Sequence, residues 1–324
     1  MTAEQESYHI PVLMGEVLEY LHPQPGETFL DLTLGGAGHS NAIAKRLIPN
    51  GVLIGTDRDR EAIEVAKKRL APFQNSLHII IHHSAFNEID FILNAEQLPE
   101  RCLDGVLLDA GVSSHQLDAP RGFSLKRDEF LDMRMDTSQG MTAQEFLATA
   151  DEQEIARVLW EHGEERFSRK IAQAVVALRK RGEALNTTGQ LARLVEQVIP
   201  RAAQPKEIHA ATRTFQGIRI HLNSEIDQLQ EALDVVIRRL KPGGRCACIS
   251  FHSLEDRVVK QTFAKAAGRN PSPPGSSPAI FRVEVQEEPT LRLLTKKPIM
   301  ATPEEVGRNP RARSAKLRVA QCIS

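Results

Sequence analysis

The chain lacks the marks of several protein classes. Its four cysteines, Cys102, Cys246, Cys248 and Cys322, show no C-x-x-C spacing. That argues against a zinc site or disulfide framework and for reduced core residues in a cytosolic protein. No apolar run approaches the ~18 residues that cross a bilayer, and no basic segment leads into an apolar one at the N-terminus. Neither membrane insertion nor export is expected, which places the protein in the cytoplasm. Neither charge is in excess, with 41 Lys plus Arg against 42 Asp plus Glu. A globally basic polyanion binder is excluded, so any such surface has to be local. The 324 residues suffice for two domains with ample cores.

What is present centres on Phe29 to Gly38, F-L-D-L-T-L-G-G-A-G, followed by His39 and Ser40. An apolar run ending in a carboxylate and breaking into glycines predicts a first parallel strand, a tight turn and a helix. Glycine there takes positive φ freely and lets a ligand approach bare backbone. A second strand, G-V-L-I-G-T-D, ends in Asp57, about twenty residues past the glycines, where nucleoside-binding α/β folds place an acid on ribose hydroxyls. Turn and acid together predict a nucleoside-containing cofactor.

The remaining chain extends this pattern and then interrupts it. Val12, Leu13, Val17, Leu18 and Leu21 predict a leading helix that covers the sheet, with His9, Pro11 and Met14 able to border the cofactor. A third strand runs into H-H-S-A-F, placing Phe86 where it could stack on an adenine. His82 and His83 point to opposite faces of a strand with no third ligand near, so no metal is expected. The fourth strand ends in Asp109, which either contacts cofactor or substrate or caps its loop. From about Val112 to His209 the alternation gives way to charged helical sequence. Its Arg166, Arg169, Lys170, Arg179, Lys180 and Arg181 surround an apolar stripe. Long amphipathic helices then return to the sheet, with Lys241-Pro-Gly-Gly as a helix stop. A fifth strand ends in F-H-S-L-E-D-R, where Ser253 is expected to cap the next helix with Asp256 and His252 could touch substrate. The Pro, Ser and Gly-rich stretch from Arg269 has no assigned role, and the basic tail Arg308 to Arg318 leads into a last strand that could meet phosphate.

The turn's spacing, G-G-A-G with Asp31 and Thr33 leading in, is not the G-x-G-x-x-G of a dinucleotide dehydrogenase. An acidic entry repels a pyrophosphate and suits a cationic, phosphate-free cofactor, which S-adenosyl-L-methionine satisfies.

The motifs H-I-P-V-L, D-L-T-L-G-G-A-G-H-S, L-L-D-A-G-V-S-S-H-Q-L-D, L-D-M-R-M-D, G-E-E-R-F, A-T-R-T-F-Q, S-F-H-S-L-E-D-R and N-P-R-A-R-S-A-K-L-R run from residue 9 to about 320. Together they resemble the RsmH (MraW) family of bacterial ribosomal RNA methyltransferases. The resemblance implies methyl transfer from S-adenosyl-L-methionine to the exocyclic N4 of a cytidine in the decoding region of small-subunit ribosomal RNA, presented naked or in the small ribosomal subunit. It also implies a Rossmann-like class I methyltransferase fold with a mainly parallel seven-stranded sheet. An all-helical substrate-recognition domain at 112–209 would separate parts 1–111 and 210–324. Carried over by position, cofactor contacts fall on Ala37, Gly38, His39, Asp57, Phe86, Asp109 and Gln116. Amino-directed DNA methyltransferases carry an Asp or Asn-Pro-Pro-aromatic sequence where this chain has D-A-G-V. Asp109 is the candidate proton acceptor, with a purely cofactor-binding role as its alternative. Phe123 and Phe251 are candidate planes for an unstacked base, and Arg134, Arg213, Arg219, Arg311 and Arg313 candidate phosphate contacts. A non-catalytic RNA-binding or assembly factor and a dehydrogenase are the competing classes.

Overall fold

A computed structural model describes residues 11–111, 120–269 and 288–324. His9, Gln116 and most of the Pro, Ser and Gly-rich stretch lie outside the described residues. Contacts divide the chain into two compact units, Met1–Gly111 with Ile226–Ser324, and Val112–Glu225.

The first unit is built on a sheet whose parallel strands are β1 (Thr28–Asp31), β2 (Val52–Asp57), β3 (His78–His83), β4 (Leu103–Asp109) and β5 (Leu240–Ser250). β6 (Leu291–Leu293), β7 (Ile299–Met300) and β8 (Lys316–Cys322) complete it, β8 running antiparallel to its neighbours β5, β6 and β7. Its path is β3-β2-β1-β4-β5-β8-β6. The expected seven strands are this path; the two-residue β7 pairs with β8 off it and makes an eighth.

Both faces are covered because side chains alternate along each strand. Leu30, Ile54, Val106 and Leu108 face one cluster with Leu229, Leu233 and Val236 of α10 (Glu225–Arg239) and Val259 and Phe263 of α11 (Ser253–Ala266). Their strand neighbours Phe29, Leu53 and Leu107 face the other. There they meet Val17 and Leu21 of α1 (Met14–Leu21), Ile43 and Leu47 of α2 (Gly38–Leu47), and Ala66 and Leu70 of α3 (Arg60–Leu70). Each fully buried Leu or Phe contributes roughly 1.5–3 kcal/mol. All four cysteines are buried and unoxidised, and Cys246 and Cys248 share a face with their Sγ atoms 3.7 Å apart.

Two local expectations need correction. The Lys241-Pro-Gly-Gly stop belongs to the start of β5, since α10 ends at Arg239, held by Asp90 and Asn94. Register shifts between Leu103 and Gly105, and Gly244 passes so close to the Leu103 carbonyl that a Cβ would lie 2.7 Å from it. The cap of α11 lies one residue earlier than expected. His252 Nδ1 accepts the Glu255 N–H at 3.3 Å, while Glu255 Oε2 accepts from His252 N and Phe251 N. Asp256 instead receives Arg318 in a two-pronged pair, at 2.7 and 3.1 Å.

The second unit packs α5 (Ala143–Thr149), α6 (Glu152–Glu161), α7 (Ser168–Lys180), α8 (Thr188–Val198) and α9 (Thr212–Leu222) around Phe146, Leu159, Ile171, Val175, Leu191 and Phe215. Thr142 and Thr187 form capping boxes with Glu145 and Gln190. α9 packs on α6, with Gly217 against Gly163, so the contact boundary falls after Glu225 rather than at 209. No helix among the described residues is long and apolar enough to cross a membrane.

The tightest packing at the sheet centre yields a stability prediction. A Cβ at Gly105 would lie 2.1 Å from Phe29 Cε1, and Phe29 is fully buried. Gly105→Ala is expected to destabilise by about 1–3 kcal/mol through overpacking, read as a lower urea midpoint. Pairing it with Phe29→Leu should recover part of the loss.

Candidate active site

β1, β2 and β4 are adjacent and parallel, so their carboxyl ends lie on one edge, and each ends in an acid: Asp31, Asp57 and Asp109. Thr33 links two of them. Its N–H donates to Asp31 Oδ1 at 3.1 Å, and its hydroxyl accepts the Asp109 N–H at 2.7 Å. Ser40, in the first turn of α2, donates to Asp31 Oδ2 at 2.6 Å. Asp57 ties down the glycine turn, accepting the Gly35 N–H at 2.7 Å on Oδ2 and the Asp59 N–H at 2.8 Å on Oδ1.

The turn needs glycine, for reasons that differ by position. Gly35 has φ +48°, a conformation that favours a residue without Cβ. Gly38 is required by the chain itself, because a Cβ there would meet Pro11 Cγ at 2.5 Å. Ala37 holds a left-handed conformation, φ +57°, ahead of α2. Alanine resists that geometry by roughly 1–2 kcal/mol.

Burial sets the charge state of the three acids. It lifts the Asp31 carboxyl from 3.8 to about 6, against the hydrogen bonds of Ser40 and Thr33 and with help from the charge of Asp57. It raises Asp57 as well, opposed by the Asp59 and Gly35 N–H groups. Asp109 is pushed well above the usual carboxylate range by burial, then by the charges of Asp31 and Glu255. Its Oδ1 is buried without a hydrogen-bond partner. The nearest cationic candidate is His39, whose Nε2 stands 3.7 Å from Asp109 Oδ2, beyond hydrogen-bond length. The Asp109 side chain keeps 16% exposure, enough for a ligand to reach it.

The other expected residues divide. Phe86 opens a short turn just past β3, and the Arg58 guanidinium lies over its ring at 5.5 Å. A base stacking there would use the opposite face or displace Arg58. Phe251 packs beside Gly111, two residues past Asp109, where a Cβ would be 3.0 Å from its ring. Phe123 is half-buried on the helical core of the second unit. The histidine pair is accounted for within the fold, His82 on Glu96 at 2.9 Å and His83 on the Arg58 carbonyl at 2.8 Å. Several candidate phosphate ligands are also engaged. Arg134 is forked onto Asp132 at 2.7 and 3.0 Å, and Arg219 onto Glu225 at 2.9 Å twice. Arg213 and Arg313 stay exposed, and Arg311 is half-buried. Sequence reasoning passed over Asp31 as a site residue, although its signal was a lone acid closing a buried strand. It also passed over Glu255, whose pattern was hidden by the better capping residue Ser253.

A cation fits these residues and a pyrophosphate does not, because three closely coupled carboxylates with raised proton affinity gain from positive charge and repel negative. The sulfonium of S-adenosyl-L-methionine has that charge. The sequence model of the MraW methylase family matches residues 6–323. The chain belongs to this family. It is 48% identical over 311 residues to ribosomal RNA small subunit methyltransferase H of Syntrophotalea carbinolica, covering 96% of each chain. The protein of the same description from Trichlorobacter lovleyi is 46% identical over 318 residues, covering 98% of this chain and 99% of its own. That from Geotalea uraniireducens is 44% identical over 320 residues, with the same coverages. Family membership accords with the architecture: a Rossmann-like, mostly parallel sheet with the antiparallel β8 between β5 and β6.

The raised acids predict a pH dependence of the unliganded chain. Asp31 binds its proton more tightly folded than unfolded, so its contribution to stability is complete below about pH 4 and is lost as pH rises through about 6. The loss amounts to at most about 3 kcal/mol, at 1.36 kcal/mol per pKa unit. Asp31→Asn should flatten that slope in urea titrations between pH 4 and 7. An unchanged slope would mean that Asp31 titrates normally.

Proposed function

We propose that this chain methylates small-subunit ribosomal RNA with S-adenosyl-L-methionine as donor, and that the acceptor is the exocyclic N4 of a cytidine in the decoding region. The observation that carries the reading is the unsatisfied Asp109 Oδ1, buried beside the glycine turn in a chain of the methylase family. The relatives' names supply the RNA; the acceptor atom follows from the resemblance and from what Asp109 can do chemically.

When bound, the cofactor supplies an electrophilic methyl on a sulfonium. Asp57, Gly35 to His39 and Phe86 are the residues proposed to hold its nucleoside and methionine parts, with Gln116. Asp109 is proposed to face the amine. The lone pair of a cytosine amino group is delocalised into the ring, so the nitrogen needs an acceptor for its proton as it pyramidalises. Asp109 has an oxygen with no other partner and a raised proton affinity, both of which suit a base. A cation nearby brings its carboxyl back toward ionisation, so the base is ready when donor and amine are both present. Phe251, fixed by the bond from its N–H to Glu255, is the proposed plane for the extruded base.

Incubation with methyl-labelled S-adenosyl-L-methionine and either naked ribosomal RNA or small subunits is expected to label a cytidine amino group. Label on another position would refute the acceptor, and no label on any RNA would favour a binding factor. Asp109→Asn keeps the shape and removes the base. Turnover should fall by about 10²–10⁴ with little change in cofactor affinity. Equal losses of affinity and turnover would assign Asp109 to binding alone.

A further inference from the structure

α7 and α8 enclose an open groove of about 400 Å³ in the helical unit. Leu178, Leu185 and Leu194 give it an apolar floor, and Ala174 and Ala177, small where a helix of this kind could carry bulk, leave the space open. Its rim carries Arg181, Arg193, Gln190 and Gln197, with Glu183 as the single acid. Lys170, Ala174, Ala177 and Arg181 recur at helical spacing on one face, so the positive rim continues along α7. Arg193 is exposed with its charge felt by Asp128, and Arg181 forms an exposed pair with Glu183 at 3.2 Å that a phosphate could replace. Gln190 Oε1 is occupied by the Asn186 and Thr187 N–H groups, which leaves its amide hydrogens for a ligand.

We propose that this groove holds an unstacked nucleotide of the substrate RNA, separate from the base that is methylated. It rests on the reading of ribosomal RNA as substrate. An apolar floor of this size accepts a base, the amides can meet its edge, and the two arginines can meet the flanking phosphates or stack on the ring. The rim carries two arginines against one glutamate, a charge that complements a polyanion.

The test uses the full chain and fluorescently labelled small-subunit ribosomal RNA. Ala177→Leu fills the groove without altering charge and at little cost in helix propensity. It should raise the Kd about fivefold or more, the scale of losing one base contact. Arg181→Ala with Arg193→Ala should lower the slope of log affinity against log salt by about 1.4, two single-strand phosphate contacts. Cofactor affinity, read in parallel, should stay at the parent value and certifies the fold of each variant. Parent-like Kd and salt slope in both variants, with the parent still methylating RNA, would remove the groove alone. A parent chain that neither binds nor methylates RNA would overturn groove and substrate together. A photo-crosslinker at position 177, offered whole small subunits, should attach to RNA; attachment to a ribosomal protein would overturn the proposal.

Discussion

Thr33 holds the site together. Two residues past β1, it donates its N–H to Asp31 and accepts the Asp109 N–H on its hydroxyl, so the ends of two neighbouring strands are fixed to each other and not merely to the sheet. That link places two buried acids at one edge, with Asp57 at the end of the next strand. Like charges so placed cannot all be ionised cheaply in a dry setting. The fold therefore stores proton affinity at the spot where a cationic ligand would release it. Ser40, the Gly35 N–H and the Asp59 N–H stabilise the charged forms only in part, since Asp31 and Asp57 remain raised against them.

Glu255 extends this arrangement to β5. By accepting the N–H groups of Phe251 and His252 it fixes the chain just past the strand that pairs with β4, and its charge adds to the proton affinity of Asp109. One buried carboxylate thus serves as helix cap, as anchor for an aromatic ring and as part of the field at the proposed base. Those functions could not be separated by sequence, because an N-cap rule prefers serine to histidine and selects the wrong register.

What was legible in the sequence is what periodicity and punctuation encode. Strands buried on both faces read as continuous apolar runs, and the acids that close them come to share one sheet edge, so the positions of the turn, Asp57 and Asp109 were accessible in advance. What escaped depends on partners distant in the chain or irregular in spacing. Gly38 has a packing reason in Pro11 besides the cofactor contact expected of it, and no local pattern reveals that. Arg134 and Arg219 look like free cations until the loop places Asp132 and the following helix places Glu225 against them. The bulge at Lys241 to Gly244 copies a helix stop in composition while serving as strand.

The near-zero net charge holds within each unit, with 16 Lys plus Arg against 16 Asp plus Glu across 112–225, so what differs between the units is where the charges are placed. The sheet unit gathers carboxylates in a buried setting, where each elementary charge acts strongly and a cation is the natural complement. The charges of the helical unit balance, and the basic side chains at α7 and α8, Lys170, Lys180, Arg181 and Arg193 among them, are exposed, where screening is strong. A buried site can select one small charged ligand by desolvation, whereas exposed charges act weakly and one at a time. A methyl donor and an RNA make opposite demands, and a chain that met them with a single surface would place acids and phosphates in conflict.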